Sequence, residues 1–260
     1  MKKAFTLAEV LITLGIIGVV AAITLPILIQ NYQKKVLVEQ LKVGMSIFEQ
    51  AFQKAMADDE TTDLRDTQLF HVCDAEISRS RQQWADDCKP LMQKYFKDVK
   101  FESQPEMVAL GDTTNVTTNT ETCKKLVGKT NKWWYLNDKS KCRGWKNMAI
   151  TLANGMRADF DFADLGFYAG DITALDINGS KGPNTWGRDT FSLKILNNGR
   201  VVPLGSSVFL RLMAEYDNAD IEAYMNNYHW QSVDRCSKTT TEAGNSCAAR
   251  IIESGWKMDY

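Results

Sequence analysis

Hydrophobic residues dominate the start of the chain, in an unbroken segment. No charged residue occurs between Val10 and Ile29. A helix of that length, at about 1.5 Å rise per residue, spans about 30 Å, which is the thickness of a bilayer's hydrocarbon core. Glu9 stands directly before the segment, and Lys2 and Lys3 precede it. The positive-inside bias therefore places the N-terminus on the cytoplasmic side.

The helical pattern continues beyond this segment with a different spacing. Apolar residues recur every three or four positions, which is the period of one helix face, at Leu37, Leu41, Met45, Phe48, Phe52 and Met56. Charged and amide residues occupy the other faces. We expect one helix from about Thr6 to Ala57, kinked or loosened near Pro26. It should end at Asp58, Asp59 and Glu60, because acids are unfavourable at a helix C-terminus.

The remainder of the chain changes from mixed to strand-like patterns. Residues 80–96 suit a short helix broken at Pro90, 111–122 suit a loop, and 218–228 suit another short helix. Short apolar runs bounded by Gly, Asn or Asp predict strands at Lys132–Leu136, Met148–Leu152, Arg157–Phe162, Ile172–Ile177, Thr190–Leu196 and Arg200–Val202. Asn-Gly turns between runs predict hairpins. The expected fold is α+β, with the long helix packed on an antiparallel sheet.

Composition and cysteine content indicate the broad class of the protein and the compartment in which it folds. The chain has 260 residues, a net charge of -1 and 44% hydrophobic residues, which suit one globular domain plus an anchor and argue against a nucleic-acid binder acting through overall charge. Its six cysteines contain no C-x-x-C pair, and His71 and His229 are the two histidines, so zinc is disfavoured. Behind an export segment, the cysteines favour disulfides. We expect nearest-neighbour pairing, as Cys73–Cys88, Cys123–Cys142 and Cys236–Cys247. The alternative is that some cysteines are free and buried.

The N-terminal segment has three interpretations. A secretory signal peptide has an apolar region of about 7–15 residues, with a cleavage site after it. The apolar segment here is too long for that, so this interpretation fits poorly. A plain membrane anchor leaves Glu9 unexplained. The third is a leader that is cut before the apolar segment. Lys2-Lys3-Ala4 followed by Phe5-Thr6-Leu7-Ala8-Glu9 resembles the processing motif of type IV pilins and type II secretion pseudopilins. Gly15, Gly18 and Pro26 also suit that family's N-terminal helix.

The resemblance implies a maturation pathway. A prepilin peptidase would cut after Ala4, where the family usually has Gly, and leave an N-methylated Phe5 as the new N-terminus. Glu9 would then pair with the free amine of a neighbouring subunit in a filament. The implied organisation is a leader over residues 1–4, a transmembrane and amphipathic helix over 5–57, and an exported pilin-like domain over 58–260. The protein would lie in the inner membrane, spanning it once, before entering a periplasmic or extracellular filament.

A loop between two predicted strands could bind calcium. Asp176, Asn178 and Ser180 alternate along it, Asp189 follows, and Gly179 allows the chain to curl. Calcium takes six to eight oxygen ligands. The loop is not an EF-hand, because Gly187 stands where the bidentate Glu would fall, but it resembles the calcium loops of some pseudopilins. The alternative is an Asn-Gly turn of a hairpin.

Two further segments could carry a function. Residues 124–146 hold eight Lys or Arg residues interleaved with Trp133, Trp134, Tyr135 and Trp145. Such a stretch could bind single-stranded nucleic acid, a glycan or anionic lipid, or it could be a solvated, disulfide-closed loop. The C-terminal tail from Cys236 resembles the C-terminal disulfide region of pilins. Its Ile251-Ile252 and Trp256 should dock as a last strand.

Catalysis has little support in the sequence. Neither histidine lies in a catalytic motif, and there is no G-x-S-x-G and no Gly-rich phosphate loop. We therefore predict a structural filament subunit, a pilin or pseudopilin, with other subunits and the prepilin peptidase as partners. The alternative is a minor pilin that captures a surface, a glycan or DNA through residues 124–146. An exported enzyme with an uncleaved anchor is the third hypothesis.

Overall fold

The structure, a computed structural model, describes residues 6–74, 81–101, 116–117, 120–127, 132–134, 136, 142–144, 148–179, 181–220, 222–223, 236, 244 and 246–260. The helices are α1 (Leu7–Asp58), a 3-10 helix (Leu64–Asp66), α2 (Gln68–Cys73), α3 (Arg81–Tyr95), α4 (Thr120–Leu126), α5 (Ser207–Tyr216) and α6 (Cys247–Glu253). The strands are β1 (Lys100–Phe101), β2 (Val116–Thr117), β3 (Lys132–Trp134), β4 (Cys142–Gly144), β5 (Met148–Thr151), β6 (Arg157–Phe162), β7 (Tyr168–Asp176), β8 (Thr190–Leu196) and β9 (Val201–Pro203).

The long helix α1 has two halves with opposite burial. From Leu7 to Val36 no residue is buried. Its buried residues all lie in the second half: Leu37, Val38, Leu41, Gly44, Phe48, Ala51, Phe52, Ala55 and Met56. The predicted stripe is therefore the core-facing surface, with Met45 partly buried against the same core. The helix continues through Pro26.

The acids at the end of α1 have partners from the next elements. Lys94 of α3 pairs with the Asp58 carboxylate at 2.8 Å and lowers the pKa of Asp58. The backbone N–H of Gln68, at the start of α2, donates to Asp59 at 2.7 Å. The unfavourable interaction of these acids with the helix dipole is thus offset by contacts that fix where the chain turns back.

Six antiparallel strands form the main sheet, in the order β1-β5-β6-β7-β8-β9. Successive strand residues point to opposite faces. On β8, Phe191, Leu193 and Ile195 join the core that contains α1, whereas Leu196 packs with Phe209 of α5 on the other face. A second, small sheet has the order β2-β4-β3. The structure confirms the predicted α+β fold of a long helix on an antiparallel sheet.

Three disulfides bond all six cysteines, each of which is buried. Cys73–Cys88 joins α2 to α3, and Cys123–Cys142 joins α4 to β4. Cys236–Cys247 fixes the start of α6. Each bridge joins consecutive cysteines, so the nearest-neighbour pattern is the one present.

Several local predictions were wrong. The helix α3 is not broken at Pro90, because the Cys73–Cys88 bridge and the buried Met92 hold the residues on both sides. The 251–256 segment does not form a strand. Cys247–Glu253 is a helix whose small Ala248 and Ala249 pack into the core.

The other departures concern element boundaries. The described part of 111–122 includes β2 and the start of α4, so it is not all loop. The strand expected at Arg200–Val202 lies one residue later. The helix expected at 218–228 falls largely outside the described residues. The helix α5, which was not predicted, begins after Ser206, whose hydroxyl accepts from Phe209 N–H at 3.3 Å.

Candidate functional site

The N-terminus of α1 forms a capping box. The Glu9 carboxylate accepts from the backbone N–H and the hydroxyl of Thr6, both at 2.8 Å. The Thr6 hydroxyl in turn accepts from the Glu9 backbone N–H at 3.3 Å. Thr6-x-x-Glu9 is the sequence signature of such a box, so this role of Thr6 could have been found from the sequence. Ala4 and Phe5 lie outside the described residues.

The segment after Glu9 presents apolar side chains to its surroundings. Leu11, Ile17 and Leu28 are each more than 60% exposed. Within the most apolar 18 residues of α1, no residue is buried. By length and composition this helix is able to cross a membrane. A soluble chain rarely exposes such a large apolar surface, so this half requires either lipid or other protein around it.

The comparisons with known proteins identify this N-terminal site. Residues 1–25 match the prokaryotic N-terminal methylation motif. This chain carries the leader signature of type IV pilins and pseudopilins. No curated protein and no solved structure matches the chain. The signature is that of a structural family and implies processing by a prepilin peptidase and assembly with other pilin subunits.

The loop between β7 and β8 is organised around Asp189. One carboxylate oxygen of Asp189 accepts from Thr185 N–H at 2.6 Å, and the other accepts from Asn184 N–H at 2.8 Å and from the Asn178 side-chain amide at 3.2 Å. Burial nevertheless raises the pKa of Asp189, because these donors do not fully replace water. The sequence pattern did not reveal these donors, since two are backbone groups.

The other predicted calcium ligands lie around the same loop. Asp176, which ends β7, is fully buried and accepts from Asn178 N–H at 3.4 Å. The Asn178 side-chain oxygen is buried and has no hydrogen-bond partner. Ser180 lies outside the described residues. No group of three or more His, Cys, Asp or Glu side chains placed for a metal ion occurs in the part of the chain that the structure describes.

We expect Asp189→Asn to destabilise the fold by about 1–3 kcal/mol, the cost of an unsatisfied buried hydrogen-bonding group. Both carboxylate oxygens accept backbone N–H groups. An amide in either orientation would therefore set its NH₂ against a donor. Urea denaturation measures the loss in a soluble form that lacks residues 1–29. Removing this segment should leave the core intact, because none of its described residues is buried.

The matched control is Asp259→Asn. Asp259 pairs with Arg250 at 2.9 Å on the surface, where an ion pair contributes roughly 0–1 kcal/mol. Equal losses for the two variants would contradict the central role of Asp189 in the loop.

The cationic, aromatic stretch at 124–146 is only partly within the described residues. Its described part includes β3 and β4 of the small sheet and the buried Cys142. Lys124 pairs with Glu121 at 2.8 Å on the exposed surface of α4. A binding function for this stretch stays a prediction.

Of the histidines, His71 is exposed on α2 and contacts the Phe70 ring, and His229 lies outside the described residues.

The C-terminal tail packs along α1. Lys42 lies over the Trp256 ring, 4.9 Å from its centroid. Lys34 donates to the main-chain oxygen of Tyr260 at 2.7 Å, and the Tyr260 hydroxyl donates to Gly187 O. Burial raises the pKa of that hydroxyl, so it stays protonated. The tail thus connects α1 to the loop that contains Asp189.

Proposed function

We propose that this chain is a structural subunit of a type IV pilus or of a type II secretion filament. The observation that carries the proposal is the prepilin leader followed directly by one helix with an exposed apolar half and a buried amphipathic half. The first half provides a membrane anchor before assembly. The second half attaches the folded part of the chain rigidly to that anchor.

The proposed pathway is the one that the prepilin leader implies. Residues 1–4 remain cytoplasmic, residues 5–57 hold the helix, and residues 58–260 fold on the oxidising side of the inner membrane. Cleavage after Ala4 frees the Phe5 amine. Glu9 then exchanges its Thr6 contacts for the amine of a neighbouring subunit, which offsets the cost of a carboxylate in apolar surroundings.

Shearing the producing cells and sequencing the released protein tests the proposal. We expect sheared filaments to contain the protein with Phe5 as its first residue, because the leader is cut before the apolar segment. Ala4→Gly should not slow cleavage. A protein that starts after Ala22, or keeps Met1, would contradict the leader assignment, and absence from the sheared fraction together with retention in the membrane would indicate a secretion pseudopilus.

The loop that begins at Asp176 is proposed to bind calcium in this subunit. Support comes from its two fully buried carboxylates, Asp176 and Asp189, and from the unpaired, buried Asn178 oxygen. A hard cation takes oxygen ligands and would offset the desolvation that raises the pKa of Asp189. When bound, calcium would supply a charge that locks the loop and would carry no chemistry.

Millimolar calcium is expected to raise the melting temperature of the soluble form, and chelator to lower it. A ligand that binds only the folded state, at a free concentration 100 times its dissociation constant, stabilises that state by about 2.7 kcal/mol. Asp176→Ala should abolish the difference, and magnesium should do less because it prefers a tighter octahedral shell. Identical melting in calcium and in chelator would leave the loop as an Asn-Gly turn.

A further inference from the structure

Beyond Ile29, the exposed large apolar side chains of the described residues fall on two surfaces. The first is a groove of about 550 Å³ along α1, which we call the α1 groove. Tyr32, Val36 and Val43 form its helix side and are 70%, 37% and 49% exposed. Met156 and Ile177 form the opposite side. Because Tyr32 follows Ile29 within one helical turn, the groove is continuous with the exposed apolar half of α1.

The second surface is an exposed apolar patch at α5, which we call the α5 knob. It consists of Leu165, Val208 and Tyr216, which are 40%, 42% and 60% exposed. The Tyr216 ring packs 5.2 Å from the Phe167 ring. Gly166, at a φ of +85°, lies so close that a β-carbon there would come within 2.5 Å of that ring. The knob is therefore held in shape before any partner binds it.

The two surfaces lie on opposite faces of the main sheet. The groove belongs to the face that packs against α1, whereas α5 packs against Leu196 and Val202 on the other face. A two-fold contact pairs one surface patch with itself, so it would leave either the groove or the knob uncovered. Two different apolar surfaces on opposite sides instead suit a heterologous, head-to-tail contact, which covers both.

The charges around the two surfaces are complementary. Exposed acids lie beside Tyr216 in the chain, at Glu215, Asp217 and Asp220, and they outnumber the exposed Arg211, which lies one helical turn before Glu215. The groove has exposed Lys35 and Lys181 at its rim. Among the described residues that line the groove, the one acid is Glu39, which is already paired with Lys42 at 2.8 Å. Opposite charges at the rim of an apolar contact steer the approach and fix its register.

We propose that the α5 knob of one copy of this chain docks in the α1 groove of the next copy. The inference rests on the proposed function, because a filament requires a heterologous contact whose rotation does not close into a ring, so that it adds subunits in one direction. It also places the folded part of each new subunit beside the C-terminal end of the exposed apolar half of its neighbour's α1. The Tyr216 ring supplies the buried anchor, and the lysines at the rim bind the acids around it.

Photo-cross-linking in full-length protein tests the contact. Benzoylphenylalanine replaces Tyr216, the protein is produced in its own membrane, and the cross-linked peptides are identified by mass spectrometry. We expect linkage to the peptides that contain Val36–Val43 or Lys181 of another copy. A probe at the exposed Lys89 of α3 is the control and should not label the groove. Linkage of Tyr216 to the knob of another copy, to lipid alone or to a different protein would overturn the proposal.

Charge exchange tests the rim. Lys181→Glu and Glu215→Lys should each lower the yield of this cross-link by about tenfold, which corresponds to a loss of about 1.4 kcal/mol. The double variant should recover most of the yield. Because both side chains are exposed, the disulfides should form normally in each variant. A double variant that is no better than the single ones would contradict the predicted pairing of these charges.

A mixing experiment separates head-to-tail docking from a two-fold contact. A chain with Val43→Asp has no working groove, and a chain with Tyr216→Asp has no working knob. The photo-cross-linking probe is placed at Leu165 of the Val43→Asp chain. Produced alone, this chain should not cross-link to itself. Produced together with the Tyr216→Asp chain, it should label the groove of that second chain. Failure of the mixture to restore the cross-link overturns the proposal. If sheared filaments still contain the protein starting at Phe5, the subunit function stands without this contact.

Discussion

Glu9→Ala is expected to remain in the membrane and to be lost from the assembled filament. A charged side chain within an apolar helix costs about 2.5–3.5 kcal/mol on insertion, so its removal does not weaken anchoring. The substitution removes the carboxylate that would pair with the neighbour's amine. Membrane fractionation and blotting of sheared filaments, in cells that also make the wild-type partners, measure the two effects separately.

Two control variants separate the charge of Glu9 from its role in the capping box. Glu9→Gln keeps an oxygen for the Thr6 donors but has no charge, so we expect it to fail in assembly like the alanine variant. Thr6→Ala removes the capping hydroxyl and keeps the carboxylate, so it should enter filaments. Normal incorporation of Glu9→Gln would show that helix capping, and not charge pairing, is the contribution of this residue.

Phe48→Ala is expected to destabilise the folded domain by about 3–5 kcal/mol, the usual cost of deleting a buried aromatic ring. Phe48 is fully buried, and its ring packs 5.1 Å from Phe96 and 6.2 Å from Phe160. It therefore joins α1 both to the segment that follows α3 and to the sheet. Urea denaturation of the soluble form lacking residues 1–29 measures the loss.

A conservative variant and a surface variant control for this result. Phe48→Leu keeps most of the buried volume and should cost less than the alanine variant. Lys54→Ala, on the exposed side of the same helix, should change stability by less than about 0.5 kcal/mol. A small loss for Phe48→Ala would contradict the packing of α1 on the sheet that the structure shows.

The sequence predicted the parts of this fold that follow from periodicity. The stripe from Leu37 to Met56 specified both the helix and its buried face, because a period near 3.6 leaves no other element. The strands Arg157–Phe162 and Thr190–Leu196 were predicted with the bounds that the structure has. Glu9 was identified because an acid before an apolar run is costly and therefore conspicuous.

Other features depend on contacts between distant parts of the chain. Pro90 should end a helix on local grounds, but a disulfide and the packing of Met92 override that preference. The Ile251-Ile252 pair is apolar in a strand or in a helix, and only its docking on the core decides which forms. Asp189 was assigned as a metal ligand from its side chain alone, whereas its closest partners are the backbone N–H groups of Asn184 and Thr185.

The nearest-neighbour order of the three disulfides has a consequence for biogenesis. Their partners are 15, 19 and 11 residues apart, and no bridge encloses a cysteine of another. On the proposed export pathway, the chain would enter an oxidising compartment from its N-terminal side, and each cysteine would meet its correct partner before the next pair arrives. Simple oxidation in order of emergence would then give the native pairs, so we expect maturation to require an oxidant but no step of disulfide shuffling.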